Sequence, residues 1–160
     1  IGNSTIVMYL PITLQSTYSG IPSSGQLGYR VPPSTTVANA TSLGASSATT
    51  GINYYTFTSL PMGVYQLSCG LGFSNDTPAD PCYIICSASK TSTSHNSANR
   101  ILQNSTTGSP SMLNNHINYT TSISNTSTAD TWYITLGRQF SSGTLSTLTG
   151  NSWVNMIRIG

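Results

Sequence analysis

The stretch SLPMGVYQLSCGLGF, residues 59–73, decides the fold class. Between Tyr65 and Phe73 an apolar side chain stands at every second position, with Gln, Ser and Gly between. A period of two residues is that of a β-strand, and a strand with one apolar face covers a hydrophobic core. The preceding LPMG, residues 60–63, is typical of a turn, because Pro fixes φ and Gly accepts a positive φ. We therefore predict a turn that leads into a half-buried strand.

The same period recurs along the chain, whereas apolar residues at helical spacing never persist for two turns. It predicts further strands at residues 6–12, 27–31, 53–58, 83–88, 116–124, 131–137, 143–148 and 153–159. Short strands at this spacing are typical of a sandwich or a barrel. Because no linker or repeat interrupts them, we expect one all-β domain over residues 1–160, with about eight to ten antiparallel strands.

The composition excludes two classes of partner. Charged residues make up 5% of the chain, against about 25% in an ordinary soluble domain. The basic residues are scattered, whereas a nucleic-acid interface gathers several on one face, so we expect no nucleic-acid partner. No apolar run approaches the ~18 residues of a membrane span, so we expect none. The basic residues are Arg30, Lys90, Arg100, Arg138 and Arg158.

Two predicted strands carry apolar residues on both faces: WYITLG at residues 132–137 and WVNMIRIG at residues 153–160. One face would fill the sandwich, and the other needs a second cover. We favour a neighbouring subunit as that cover, and a loop of the same chain is the alternative. The residues expected at the subunit contact are Trp132, Trp153, Val154, Met156 and Ile157.

The three cysteines, Cys69, Cys82 and Cys86, are an odd number. We expect buried thiols that act as small apolar side chains. A disulfide from Cys69 to Cys82 or to Cys86 is the alternative, since Cys82 and Cys86 stand too far apart along one strand for easy bridging. A metal site is not expected, because neither histidine stands at a ligand spacing from these thiols.

Catalytic groups are scarce, because the chain has no Glu and its acids are Asp76, Asp80 and Asp130. A hydrolase triad needs a base that a carboxylate orients. His95 and His116 stand in polar contexts, so we expect solvated histidines, no enzymatic activity and no cofactor.

The loop SNDTPADPC, residues 74–82, could offer oxygen ligands to calcium through Asn75, Asp76 and Asp80. Asx-turns in a Pro-rich loop account for the same residues. We therefore expect no metal here.

Several segments together resemble a known superfamily. LPMGVYQLSCGLGF follows a QLGY segment at residues 26–29, and the chain ends on WYITLGRQFSSGTLSTLTGNSWVNMIRIG. This order resembles the tumour-necrosis-factor and complement-globular-head jelly roll, in the form found in structural proteins of large DNA viruses and phages. The resemblance implies a ten-stranded, two-sheet jelly roll that assembles as a homotrimer, although Cys82 and Cys86 are not part of that pattern.

The expected function is therefore that of a virion structural protein. It would be a trimeric head, as a vertex spike or a fibre head on the virion surface, which contacts other virion proteins and attaches to a host glycan or receptor. Two alternatives stay open: a capsid cement or minor capsid protein that binds only other virion proteins, and a secreted carbohydrate-binding module.

Overall fold

Ten β-strands lie in the part of the chain that the computed structural model describes, which is residue 24 and residues 26–43, 49–75, 82–105, 115–139, 145–147 and 149–160. They are β1 (Arg30–Val31), β2 (Thr35–Thr36), β3 (Ile52–Phe57), β4 (Gly63–Asn75), β5 (Cys82–Ser89), β6 (Ile101–Ser105), β7 (Asn115–Asn125), β8 (Trp132–Gln139), β9 (Leu145–Thr147) and β10 (Trp153–Arg158). A single 3-10 turn, Thr149–Asn151, precedes β10, and these described residues contain no α-helix. The predicted all-β class is confirmed.

The period-two pattern located most of these strands. β3, β4, β5, β7, β8 and β10 lie where it predicted them, with ends that move by at most two residues, and β9 lies within the predicted 143–148. The predicted strand at residues 6–12 lies outside the described residues.

The prediction for residues 27–31 was wrong in its first half. Gly28 has a φ of 80°, and the Tyr29 N–H donates to the Gln26 carbonyl, so the chain turns before β1 begins. Two strands were missed. β2 is a pair of exposed threonines and β6 reads ILQNS, so neither alternates apolar with polar residues.

The strands form two five-stranded antiparallel sheets that are consistent with a β-sandwich. In the first sheet the order is β1-β10-β4-β7, and β9 pairs with the far end of β4. In the second sheet the order is β2-β3-β8-β5-β6. β4 is the centre of the first sheet, since it pairs along one side with β7 and along the other with β10 and β9.

The chain crosses from the second sheet to the first at the predicted LPMG turn. Gly63 has a φ of 154°, a value that residues with a side chain rarely adopt. The Tyr65 hydroxyl donates to the Pro61 carbonyl at 2.7 Å, and the Asn125 amide donates to the Leu60 carbonyl at 2.8 Å. Arg158 donates to the Met62 carbonyl at 2.9 Å, so three side chains satisfy the carbonyls of this turn.

The core lies between the two sheets, and the alternation of β4 supplies much of it. Tyr65, Leu67, Cys69, Leu71 and Phe73 are all buried, as the sequence predicts. A fully buried side chain of this kind stabilises the fold by about 1.5–3 kcal/mol relative to an exposed one. Other large side chains that are fully buried in this core include Tyr54, Phe57, Leu60, Ile84, Ile117, Tyr119, Ile134, Leu136 and Met156.

Hydrogen bonds also join the two sheets across this core. The Tyr54 hydroxyl donates to the Gly72 carbonyl at 3.0 Å, and the Tyr119 hydroxyl accepts from the Ala88 N–H at 3.0 Å. The Trp132 indole N–H donates to the Asn125 side-chain oxygen at 3.0 Å. Because each bond satisfies a buried polar group, large amphipathic side chains can fill the core without a desolvation penalty.

Candidate functional site

The outer face of the first sheet is left open by the described part of the chain. Along β10, Val154 and Met156 point into the core, so Trp153, Asn155 and Ile157 point outwards. Trp153 is 49% exposed, which is unusual for an indole. This face therefore presents a large aromatic surface to any ligand or partner.

Trp153 rests on a glycine of the neighbouring strand. Gly70 pairs with Trp153 on one side and with Asn118 on the other. A Cβ at Gly70 would collide with the Nε1, Cε2 and Cδ1 atoms of the indole, so the ring occupies the space that a side chain would fill. The absence of a side chain at Gly70 thus lets the indole lie against the sheet and keeps its other side in solvent.

Uncharged polar side chains lie on the same outer face as the indole, along β4 and β7. Asn118, Thr120 and Ser122 alternate along β7 with buried residues, and Gln66 lies across from Ser122 on β4. All four are exposed, and none makes a side-chain hydrogen bond to another residue that the structure describes. We call Trp153 and these four residues the Trp153 face. Its amide and hydroxyl groups are available to a ligand.

Apolar residues gather at the opposite end of the first sheet. The Ile159 N–H donates to the Val64 carbonyl, and the Gly28 N–H donates to the Arg158 carbonyl, which brings the 27–28 segment to the same end. Met62 joins them through the Arg158 contact with its carbonyl. We call Leu27, Met62, Val64 and Ile159, which are all exposed, the apolar end.

Part of the outer face of the second sheet is covered, in contrast, by residues 90–100, which we call the cover loop. Thr50 and Ser94 form an isolated bridge, and the Gly51 N–H donates to the Thr93 carbonyl at 2.9 Å. On the other side, the Asn99 amide donates to the Ala88 carbonyl at 2.9 Å. These bonds join the cover loop to the two residues just before β3 and to β5.

His95 fills the space between the cover loop and the second sheet. Its Nδ1 lies 2.9 Å from the Thr135 hydroxyl and 3.1 Å from the Ser87 hydroxyl, and both of those residues are buried. Its Nε2 lies beside the Thr50 carbonyl, at a geometry that falls short of a hydrogen bond. A Cβ at Gly137 would collide with this nitrogen, so the sheet accepts the ring only because glycine stands there.

The expectation that His95 is solvated was therefore wrong. Burial, and then the nearby positive charge of Arg100, lower the pKa of the imidazole to about 4. A ring that is neutral at pH 7 and faces two buried hydroxyls ties the loop to the sheet. His116, the other histidine, lies on β7, where its Nε2 is 2.7 Å from the Asn151 carbonyl oxygen.

A shallow depression of about 490 Å³ opens beside the cover loop. Lys90 at its edge pairs with Asp130 and lies 5.4 Å from the centroid of the Trp132 ring. Because the Lys90 charge is already neutralised there, this depression offers little electrostatic attraction for an anion. The other lining residues are Ser89, Thr91, Ser94, His95, Asn96 and Ser97.

The structure separates the five residues that were expected at a subunit contact. Met156 is fully buried, and Val154 and Trp132 lie in the same core cluster. Strand alternation points these three inwards, so they are poor candidates for a subunit contact. Trp153 and Ile157 lie on the outer face, so the predicted contact narrows to those two residues.

Cys69 and Cys86 meet in the core, one from each sheet, as free thiols. Burial, followed by a hydrogen bond to the Cys69 thiol, raises the pKa of the Cys86 thiol well above its usual range. This is the pair that one of the two alternative disulfides would join. The Cys82 side chain, which the other would involve, lies outside what the structure describes.

No cluster of metal-ligating side chains occurs within the described ranges. Asp76 and Asp80, from the alternative calcium loop, lie outside them. The same ranges hold no helix of the length and apolar character that crossing a membrane requires.

The chain was also compared with known proteins. Neither the family models, nor the curated proteins, nor the solved structures gave a match to it.

Proposed function

We propose that this chain is a non-enzymatic virion surface protein, a trimeric jelly-roll head that attaches the particle to its host. The observation that carries the attachment role is the open Trp153 face, with its half-exposed indole on the same face as exposed amide and hydroxyl groups. The jelly-roll connectivity, the trimer and the virion setting come from the sequence resemblance, and the sandwich of two five-stranded sheets is compatible with them.

The apolar end supports assembly into a trimer. Exposed apolar side chains gathered at one end of a sheet are a common mark of a protein interface. Ile157 lies beside this end, two residues before Ile159 along β10. Trp153 stands six residues from Ile159, which corresponds to about 20 Å in a strand. A trimer contact at the apolar end therefore leaves Trp153 accessible.

The composition supports an extracellular particle. With 5% charged residues, solubility comes from Ser, Thr and Asn side chains, whose hydration depends little on salt or pH. Five Lys and Arg residues also leave trypsin-like proteases few cleavage sites. Both properties suit a protein that persists outside a cell.

Binding fits the described residues better than catalysis does. Asp130 is held by Lys90, and His95 lies beneath the cover loop against buried hydroxyls. A general base needs both access to a substrate and a pKa near the working pH. His95 lacks the second of these, since burial lowers its pKa to about 4.

Sedimentation equilibrium of the purified chain tests the assembly. We expect a trimer, and we expect Ile159→Lys to shift it to monomers, since three like charges would meet at the apolar end. Tyr83→Lys is the matched control, because Tyr83 is an exposed apolar residue on β5 of the second sheet, and it should stay trimeric. A monomeric wild-type chain, or equal effects of both variants, contradicts the proposed trimer.

Imaging of the particle that carries the chain tests the virion role. We expect density for a threefold head at the vertices or fibre tips. Antibody labelling between capsomers instead would favour the capsid cement alternative, and a chain found free of any particle would favour the secreted module.

A further inference from the structure

We propose that the Trp153 face binds a neutral oligosaccharide, with one pyranose ring stacked on the exposed side of the Trp153 indole. This inference names the ligand for the attachment role and rests on that role. Three features of the face carry it: the supported aromatic ring, the free hydrogen-bonding groups and the absence of charge at its centre.

The indole is suited to stacking on a sugar. One face of many pyranose rings presents C–H groups with partial positive charge, and an aromatic face carries the negative part of its quadrupole. Trp153 is held by β10, and its ring lies against Gly70, which is itself buried. A ligand therefore meets a ring whose position the sheet has already set, so little side-chain entropy is lost on binding.

The polar groups of the face are placed to bind hydroxyls. Asn118 lies two strands from Trp153, on the far side of Gly70, which is about 10 Å at the usual strand spacing. Thr120 follows on β7, two residues along the same face. An amide both donates and accepts, as a sugar hydroxyl does, so these side chains match a ligand rich in hydroxyls. Their spacing suits an oligosaccharide more than a single ring.

The charges of the chain point to a neutral ligand. Arg30 lies at the β1 edge of the first sheet, where it donates to the Val154 carbonyl. Arg158 donates to the carbonyls of Met62 and Gly160 at the apolar end. Lys90, Arg100 and Arg138 belong to the second sheet and the cover loop. Among the described residues, Arg30 is the one cation that comes near Trp153, at the β1 edge where it is bonded to the Val154 carbonyl, so a sialylated, sulfated or phosphorylated ligand would find no cation among the polar residues of the face itself.

A glycan array that holds neutral, sialylated and sulfated oligosaccharides is the first test, followed by calorimetric titration of the strongest neutral ligand. We expect neutral ligands only, and at least a tenfold loss of affinity in Trp153→Ala. Trp153→Phe should retain part of the affinity, and Asn118→Ala should lose several-fold. Tyr83→Ala is the control: Tyr83 is an aromatic residue of comparable exposure, 38%, on the second sheet, so the affinity should not change.

Three results would overturn the inference: no ligand on the array, binding confined to charged glycans, or unchanged affinity in Trp153→Ala. The thermal midpoint of that variant should stay close to wild type, because its side chain is half in solvent. If the variant unfolds, acrylamide quenching of the wild-type chain decides the matter. Trp132 is buried, so the quenchable signal belongs to Trp153, and the ligand must protect it.

The same measurements separate this inference from the proposed assembly. A trimer that binds no glycan would contradict the oligosaccharide inference and support the proposed assembly. A monomer that binds an oligosaccharide through Trp153 would support the inference and contradict the assembly. If the ligand-free assembly already shields Trp153 from acrylamide, a second copy of the chain covers the face, and the inference is wrong.

Discussion

The two outer faces of the sandwich differ in how their large side chains are covered. β8 and β10 both carry residues on their outer faces that suit burial. On the second sheet, the cover loop places His95 over Thr135 and Ser87, which become fully buried. On the first sheet no described residue covers Trp153, which stays 49% exposed.

A strand with apolar residues on both faces therefore predicts that its outer face is covered, but it does not show whether a loop of the same chain or another molecule covers it. The cover loop comes from the same chain, which was the alternative to a subunit contact for β8. No described residue covers the Trp153 face in this way. Function is therefore expected on the first sheet, and stability is expected to depend more on the outer face of the second.

The largest expected difference in unfolding free energy is between the same substitution at two adjacent residues of β10. Met156 is fully buried, so Met156→Lys would place a charge in the core and cost about 4 kcal/mol or more of unfolding free energy. Ile157 lies on the outer face, so Ile157→Lys should cost less than about 1 kcal/mol and instead weaken the trimer.

Urea denaturation measures the first effect and sedimentation the second. Equal losses of unfolding free energy in the two variants would show that the outer face is as inaccessible as the core. An unchanged trimer in Ile157→Lys would remove this residue from the subunit contact.

The same change at two glycines compares the two faces directly. In Gly137→Ala the new methyl group would meet the Thr50 carbonyl and the enclosed His95 ring, and we expect a loss of about 2–3 kcal/mol. In Gly70→Ala it would meet only the Trp153 indole, which can swing outwards, so the loss should stay below about 1 kcal/mol.

Gly150→Ala is the control, since no heavy atom lies within 4 Å of its Cβ position. Thermal or urea unfolding of the three variants provides the comparison. A larger loss in Gly70→Ala than in Gly137→Ala would mean that the new methyl group cannot displace the indole towards solvent.

The expected effect that is narrowest in range is a pH dependence that comes from the second sheet. Burial lowers the pKa of His95 to about 4 in the folded chain, whereas an unfolded histidine titrates near 6.5. As the pH falls from about 6.5 to about 4, the unfolded chain binds the proton first, so stability decreases through this window. Below it, both states are protonated and this contribution stays constant.

His95→Gln should flatten the dependence of the urea midpoint on pH between these values. Hydrogen exchange at pH 5 should show faster opening of the cover loop than at pH 7, while β4 and β7 stay protected. A slope that is the same in the variant would assign the pH dependence to other groups.

Much of the fold could be predicted from local pattern. The alternation from Tyr65 to Phe73 correctly predicted the inward set of β4, because side chains of a strand point to opposite faces in turn. β2 and β6 were missed since their residues do not alternate, and strand pairing, not side-chain pattern, forms them.

Less of the candidate site could be predicted. Trp153 was identified from its two-faced strand, but Met156 and Val154 were assigned to the same contact, since the pattern does not say which set points inwards. The sequence predicts a solvated His95, because its polar neighbours in sequence say nothing of the sheet beneath it. Thr135 and Gly137 lie far from His95 in the sequence, so no local pattern indicates that the histidine contacts them.

The amino-acid sequence by itself determined that this chain forms half-buried strands, because the two-residue period is a property of neighbouring residues. Only the tertiary structure decided which outer face is covered and which is open. That choice depends on contacts between residues 40 or more positions apart, such as His95 with Thr135 and Trp153 with Gly70, and on glycines that leave room for each ring.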